Sequence, residues 1–73
     1  MRLISVHSSG VRAVGYEEER RVLSVQFVDG DLYEYYGVPA SEVIDLFQAE
    51  SIGWFVNKRI KPYYEYRHLK AAS

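Results

Sequence analysis

Apolar and polar residues alternate through the first half of the chain, which is typical of β-strands with one buried face. Residues 11–16 are rich in β-branched and aromatic residues, and the charged residues 17–20 after them, three glutamates and an arginine, predict a solvated turn. A second alternating stretch places Leu23, Val25 and Phe27 on one face. After Asp29-Gly30, a strong hairpin signal, Tyr33 and Tyr35 alternate with Glu34.

The pairing of residues across this hairpin follows from the side chains that must share a face. A two-residue loop would set Val25 opposite Glu34 and so place a charge beside the core. A three-residue loop, residues 28–30, instead sets Val25 opposite Tyr33 and Leu23 opposite Tyr35. We therefore predict a type I turn with Gly30 in the left-handed conformation, forming a bulge. Both tyrosines then share the core face.

The apolar spacing changes to that of helices in the second half. After Val38-Pro39, the residues Val43, Ile44, Leu46 and Phe47 form a stripe at helical spacing. Ser51 suits the N-cap of a second helix that continues through Ile60 and ends before Pro62. Residues 63–69 fit either a short strand or an ordered tail.

These elements predict an α+β domain: a small antiparallel sheet, a β-meander of about three strands, followed by two short helices packed on one face. We expect a single domain over residues 1–73, with a core over roughly residues 5–67 and a frayed tail at residues 68–73.

Size and composition narrow the ways in which this domain is stabilised. It has 73 residues and no cysteine, which excludes disulfides and thiolate-bound zinc. Seven tyrosines, three phenylalanines and one tryptophan provide large apolar surfaces that stabilise the fold on burial. Self-association is the other remaining source of stability. No apolar run approaches the roughly 20 residues that span a bilayer. With no secretory signal at the N-terminus, we expect a cytoplasmic protein without membrane contact.

Charge is divided unevenly along the chain, although the formal net charge is only −1. Residues 17–50 carry nine acidic residues and two arginines, whereas residues 51–73 carry five basic residues and one glutamate. A basic C-terminal end beside an acidic middle indicates an anionic partner.

An ordered series of short motifs resembles the KTSC domain family. These motifs are Ser8-Ser9, Ala13-Val14-Gly15-Tyr16, Leu23-x-Val25-x-Phe27-x-x-Gly30, Tyr33-x-Tyr35, Val38-Pro39, Leu46-x-x-Ala49-x-Ser51-x-Gly53 and Phe55-x-Asn57-x-x-Ile60-x-x-x-Tyr64. The resemblance implies a domain found at the C-terminus of some lysyl-tRNA synthetases and as free-standing small bacterial and phage proteins. RNA binding has been suggested for the family because of that attachment. Gly10 departs from the family's usual asparagine.

The C-terminal segment is the best candidate for binding, because it interleaves cations with aromatic rings. Such a pattern suits a phosphate backbone and unstacked bases. The candidate residues are Trp54, Lys58, Arg59, Lys61, Tyr64, Tyr66, Arg67 and Lys70. Cations late in a helix also complement the helix dipole, which is a purely structural alternative. The Tyr33-x-Tyr35 pair is predicted to be structural and not to touch the ligand.

Catalytic chemistry is not indicated. Only His7 and His68 are candidates for a neutral-pH base, and neither has a recognisable nucleophile or metal spacing. We therefore expect a non-catalytic binding module without a cofactor or metal, whose partner is RNA or another anionic ligand. The alternatives are a protein-interaction or self-assembling module, and a homo-oligomer that binds a small anion or nucleotide.

Overall fold

A five-stranded antiparallel sheet forms the framework of the protein. The structure is a computed structural model that describes residues 3–8 and 10–69. The strands follow one another in chain order across the sheet, and they are β1 (Ile4–Ser8), β2 (Val11–Glu17), β3 (Val22–Phe27), β4 (Leu32–Tyr36) and β5 (Tyr66–Leu69). The predicted α+β class is confirmed, but the expectation of about three strands is wrong. The sequence pattern did not predict β1, and of the two alternatives for residues 63–69 the structure shows the short strand, β5.

The central hairpin has the predicted pairing. Val25 lies opposite Tyr33 and Leu23 opposite Tyr35. The amide of Phe27 donates to the carbonyl of Asp31 at 2.9 Å, which leaves residues 28–30 as the loop between the paired residues. Gly30 has a φ of +95°, a backbone conformation that side chains with a Cβ rarely adopt. The amide of Gly30 donates to the carbonyl of Phe27 at 2.9 Å. The turn chemistry of Asp29-Gly30 therefore fixes which tyrosines face the core.

Two helices connect β4 to β5. Helix α1 (Ala40–Gln48) begins after Pro39, and helix α2 (Ile52–Phe55) begins at the Ser51 N-cap that the sequence predicted. A π-helical segment (Val56–Ile60) continues α2, and the amide of Lys61 donates to the carbonyl of Val56 at 2.8 Å. Within the described ranges, no helix is long and apolar enough to cross a membrane.

The core lies between one face of the sheet and this helical layer. Tyr35, Leu23 and Val25 of the hairpin have no exposed surface, and neither do Leu46 of α1 and Ile60 of the π-helical segment. They pack in one cluster that also contains Val11, Val14, Val38, Val43, Phe55 and Val56. Burial of apolar surface on this scale is the main source of stability in a domain of this size.

The chain returns to the sheet after the helices. Strand β5 pairs with β4, with Tyr66 opposite Tyr35 and His68 opposite Tyr33. Residues 68 and 69 therefore lie in a strand, which corrects the expectation that the tail frays from residue 68. Residues 70–73 lie outside the described part of the chain.

The second face of the sheet points away from the described helices, which pack on the core face. One row across it consists of Gly15, Ser24, Glu34 and Arg67, each the cross-strand neighbour of the next. Tyr36 lies on this face, and its hydroxyl donates to Glu34 Oε1 at 3.0 Å. Partial burial and this hydrogen bond raise the pKa of Tyr36, while the nearby arginines 67 and 20 oppose the rise. Tyr36 thus points away from the core tyrosines.

Candidate functional site

Five aromatic side chains meet where β3, β4 and β5 lie side by side. We call Phe27, Tyr33, Tyr35, Tyr66 and His68 the aromatic cluster. Tyr33 is at its centre: the His68 ring is stacked on it with centroids 4.5 Å apart, and the Phe27 ring stands perpendicular to it at 5.5 Å. The Tyr66 ring lies 5.6 Å from Tyr33 and 5.9 Å from Tyr35. These spacings are those of favourable aromatic pairs.

The register of the sheet explains why these rings come together. Residues that face each other across antiparallel strands place their side chains on the same face, and so do residues two apart along a strand. Tyr35 pairs with both Leu23 and Tyr66, while Tyr33 pairs with both Val25 and His68. The aromatic cluster is therefore a consequence of the Tyr33-x-Tyr35 and Tyr66-x-His68 repeats brought into register.

The aromatic cluster runs from the core to the solvent. Tyr35 has no exposed surface, Tyr33 is half-buried, and Tyr66 exposes 58% of its surface. A ring that is both held by neighbours and open to solvent is pre-organised for stacking against a planar ligand. Tyr66 is such a ring, and His68, also exposed, lies on the same face two residues along the strand.

Charged groups lie at two edges of the aromatic cluster. The Lys61 ammonium is 5.8 Å from the centroid of the Phe27 ring, within the range of a cation–π contact. His68 Nε2 is 3.4 Å from Asp31 Oδ1. The site therefore offers one permanent cation beside the rings, and a histidine whose ring orientation is fixed by both a carboxylate and a stacked tyrosine.

The Tyr35 hydroxyl is a buried polar group at the inner end of the aromatic cluster. Among the described residues it has no hydrogen-bond partner. Burial is the main cause that raises the pKa of Tyr35 to about 12, and Tyr33 and Tyr66 add to the effect. The phenol is thus neutral at physiological pH and contributes to the site through its ring.

The structure divides the predicted basic segment among several surfaces. Tyr66 and Lys61 lie at the aromatic cluster. Arg67 points to the opposite face of the sheet, in the row with Glu34. Trp54 lines a separate cavity with residues 49–51, and Lys58 is exposed on the π-helical segment. Lys70 lies outside the described residues.

Arg59 and Tyr64 belong to a structural contact between the helices. Arg59 is 3.3 Å from Glu42 of α1 and lies over the Phe55 ring at 5.3 Å from its centroid. Tyr64 packs against the core, where burial and the Glu42 carboxylate raise its pKa and Arg59 opposes that rise. The charge of Arg59 is therefore already paired within the protein.

Four members of the aromatic cluster are not among the predicted site residues. The alternation predicts Phe27, Tyr33 and Tyr35 on the core face, and His68 is named only as a candidate base. Tyr33 does face the core, as expected, yet its ring also supports the exposed Tyr66 and His68. The alternation of Tyr66 and His68 around Arg67 is the sequence signal for a fifth strand. Such a strand places Tyr66 and His68 on one face, beside Tyr33.

Comparison with known proteins identifies the family. The family profile described as the KTSC domain matches residues 7–64, which is most of the chain. The chain belongs to the KTSC domain family. A solved KTSC domain protein from Yersinia pestis is 31% identical in sequence and superposes with a TM-score of 0.89, covering 93% of this chain and 96% of that one.

Relatives of this KTSC domain occur both as small proteins and within longer ones. An uncharacterized protein of Stutzerimonas stutzeri is 39% identical over 67 residues, which covers 90% of this chain and 94% of that protein. A lysine–tRNA ligase of Nostoc punctiforme is 34% identical over 67 residues. The match covers 92% of this KTSC domain but only 12% of the ligase. The domain is therefore similar both to a whole small protein and to a small part of a tRNA-charging enzyme.

Proposed function

We propose that this KTSC domain binds single-stranded RNA at the aromatic cluster, without catalysing a reaction. The observation that carries the proposal is the exposed ring of Tyr66, which solvent reaches over more than half its surface while Tyr33 and Tyr35 hold it from beneath. A base stacked on such a ring contributes about 1–3 kcal/mol of binding free energy. His68 offers a second planar surface on the same face of β5.

The charges around the aromatic cluster favour a short, unpaired stretch of RNA. Lys61, whose ammonium is 5.8 Å from the centroid of the Phe27 ring, is the cation that would contact a phosphate flanking a stacked base. Asp31 lies 3.4 Å from His68 near the end of β5, and Glu65 directly precedes its start, so a long run of phosphates would meet repulsion at both ends. Bases within a duplex are already stacked and paired, whereas those of loops and ends are free to stack on a protein ring.

The relatives support an RNA ligand in particular. The Nostoc relative is a lysine–tRNA ligase, an enzyme that acts on tRNA, and the part of it that resembles this chain is a small fraction of its length. A module of this kind within a tRNA-dependent enzyme is consistent with an accessory contact to RNA. The same fold in a small separate protein would supply that contact on its own.

A binding titration with matched variants tests the proposal. We would measure the fluorescence anisotropy of a labelled oligouridine of about eight nucleotides, within the size range of single-strand sites. Tyr66→Ala is expected to weaken binding about 5- to 150-fold, the equivalent of one lost stacking contact. Trp54→Ala is the control, because it removes another exposed ring on a different surface and should leave the affinity unchanged.

Salt dependence tests the contribution of Lys61. Each phosphate contact on a single strand lowers the slope of log affinity against log salt by about 0.7, so Lys61→Ala should make the slope shallower by about that amount. Lys58→Ala removes an exposed cation outside the aromatic cluster, and it should change the slope of log affinity against log salt less than Lys61→Ala does. No binding at about 50 mM salt, or an equal loss in Tyr66→Ala and Trp54→Ala, would disprove the proposal.

A further inference from the structure

A second exposed apolar surface lies on the helical layer. Ile44 and Phe47 occupy one side of α1, three residues apart, and expose 57% and 42% of their surfaces. Trp54 of α2 exposes 57%. We call Ile44, Phe47 and Trp54, with the cavity beside Trp54, the helix patch. Large exposed apolar side chains grouped on a small domain mark an interaction surface more often than they serve the fold.

The cavity beside Trp54 has a volume of about 590 Å³, which is large enough for a substantial apolar side chain. Ala49, Glu50 and Ser51 line it together with Trp54. The neighbours of Trp54 in the helix, Gly53 and Phe55, are buried in the core, whereas the indole ring is not. The fold therefore anchors the backbone of α2 and leaves its largest side chain at the edge of a cavity.

The charges around the helix patch are mostly negative. Glu50 lines the cavity, and Asp45 is exposed on α1 between Ile44 and Phe47. The nearest cation along the helix is Lys58, four residues after Trp54. Arg59 adds little to this balance because it is paired with Glu42. Glu50 is thus the charged residue that lines the cavity together with Trp54.

We propose that the helix patch binds a peptide segment of another protein that carries a large apolar side chain next to a lysine or arginine. The apolar side chain would fill the cavity against Trp54, and the basic side chain would pair with Glu50. Tryptophan at the centre of an interface, with charges at its rim, is the arrangement that carries most binding energy in protein–protein contacts. This proposal does not depend on RNA binding at the aromatic cluster.

The same charges disfavour other occupants. RNA and anionic lipid surfaces are negative and would meet Asp45 and Glu50. A second copy of the chain, if joined by this same surface about a two-fold axis, would bring two identical patches together and offer no basic group to complement Glu50. A basic and apolar peptide removes both conflicts, since its charge complements that of the rim.

Selection from a phage-displayed library of random peptides of about twelve residues tests the proposal on the full chain. Enriched peptides are expected to share an apolar residue beside Lys or Arg. The protein has a single tryptophan, so titration with a synthetic enriched peptide should shift the emission of Trp54 to shorter wavelength as the indole is covered. Glu50→Lys, which keeps every apolar contact, should weaken binding at least about tenfold. Trp54→Ala should weaken it by a similar factor or more, while Tyr66→Ala should not change it.

Several results would overturn the inference. These are the absence of any enriched sequence, enrichment of acidic peptides, and equal binding by wild type and Glu50→Lys. Sedimentation that reveals a dimer dissociated by Trp54→Ala would instead assign the helix patch to a second copy. Loss of oligouridine binding in Trp54→Ala would assign the helix patch to RNA.

Discussion

At the scale of single residues, the phenol groups of Tyr16 and Tyr35 have opposite hydrogen-bonding states. The Tyr16 hydroxyl donates to the carbonyl of Val38 at 2.7 Å and so ties β2 to the start of the helical layer. The Tyr35 hydroxyl is buried with no partner among the described residues. A buried polar group without a partner costs stability, whereas a satisfied one contributes modestly to it.

Replacing each tyrosine by phenylalanine should therefore change stability in opposite directions. Tyr35→Phe removes only the unpaired hydroxyl, and we expect the free energy of unfolding to stay the same or rise by about 1 kcal/mol. Tyr16→Phe removes a hydrogen bond to a buried residue and should lower it by about 1 kcal/mol. Urea unfolding of both variants measures these changes. A loss in Tyr35→Phe as large as that in Tyr16→Phe would show that the Tyr35 hydroxyl is paired.

The raised pKa of Tyr35 predicts a loss of stability in alkaline solution. Above the unfolded pKa near 10 the unfolded chain releases the phenol proton, while the folded chain retains it up to a pKa of about 12. Unfolding therefore releases a proton in this window, and the free energy of unfolding falls as pH rises. Between about pH 9 and about pH 11.5, wild type should lose about 2 kcal/mol more than Tyr35→Phe. The measurement is urea unfolding of both proteins at a series of pH values. If their free energies of unfolding fall in parallel with pH, the raised pKa does not belong to Tyr35.

At the scale of elements, two serines from distant parts of the chain hold the start of α2. Ser51 Oγ accepts from the amide of Trp54 at 3.2 Å, and Ser8 Oγ of β1 accepts from the amide of Gly53 at 3.0 Å. The first amides of a helix have no partner within the helix, so both contacts satisfy otherwise unpaired donors. The Ser8 contact also joins the outer strand β1 to the helical layer.

Removal of either serine oxygen should destabilise the domain. We expect Ser51→Ala and Ser8→Ala each to lower the free energy of unfolding by about 1 kcal/mol. Ser41→Ala is the matched control: Ser41 is exposed inside α1, where alanine is the better helix former, so that variant should be neutral or slightly stabilised. Thermal unfolding followed by circular dichroism measures all three. If Ser8→Ala behaves like Ser41→Ala, the contact between β1 and α2 contributes nothing.

Elements with a local signal were predictable from the sequence, and those that depend on distant partners were not. The β3–β4 pairing followed from one turn and from the need to keep Glu34 out of the core, and the structure confirms it. Strand β5 has only four residues and becomes a strand by pairing with β4 more than 30 residues earlier in the chain. Its alternating Tyr66 and His68 fit a tail equally well until that partner is known.

The candidate site was only partly predictable for the same reason. Tyr66 and Lys61 were singled out because aromatic and basic residues alternate near the C-terminus. That pattern is local, so it could not show which cations lie at the aromatic cluster. The pleat of β5 directs Arg67 to the opposite face of the sheet, and Arg59 forms an ion pair with Glu42. The contributions of Phe27, Tyr33 and His68 depend on the register of three strands.

At the scale of the whole molecule, the domain presents two exposed aromatic surfaces of different charge. The aromatic cluster lies on β3, β4 and β5 and has Lys61 beside it, whereas the helix patch lies on α1 and α2 beside Glu50. Because a cation lies beside the rings of the first surface and a carboxylate lines the cavity of the second, we expect an anionic ligand at the first and a basic one at the second. The two proposals therefore assign RNA to the aromatic cluster and a basic, apolar peptide to the helix patch.

The most direct test of RNA binding at the aromatic cluster is an NMR titration of the isotope-labelled protein with oligouridine. We expect the largest chemical-shift changes in the Tyr66, His68 and Tyr33 rings and in the amides of β5 and Lys61. The indole N–H of Trp54, a unique resonance because the chain has one tryptophan, should not move. Shifts centred on Trp54 and α1, or on Tyr36 and Arg67 of the opposite sheet face, would contradict the account, as would no shifts at all.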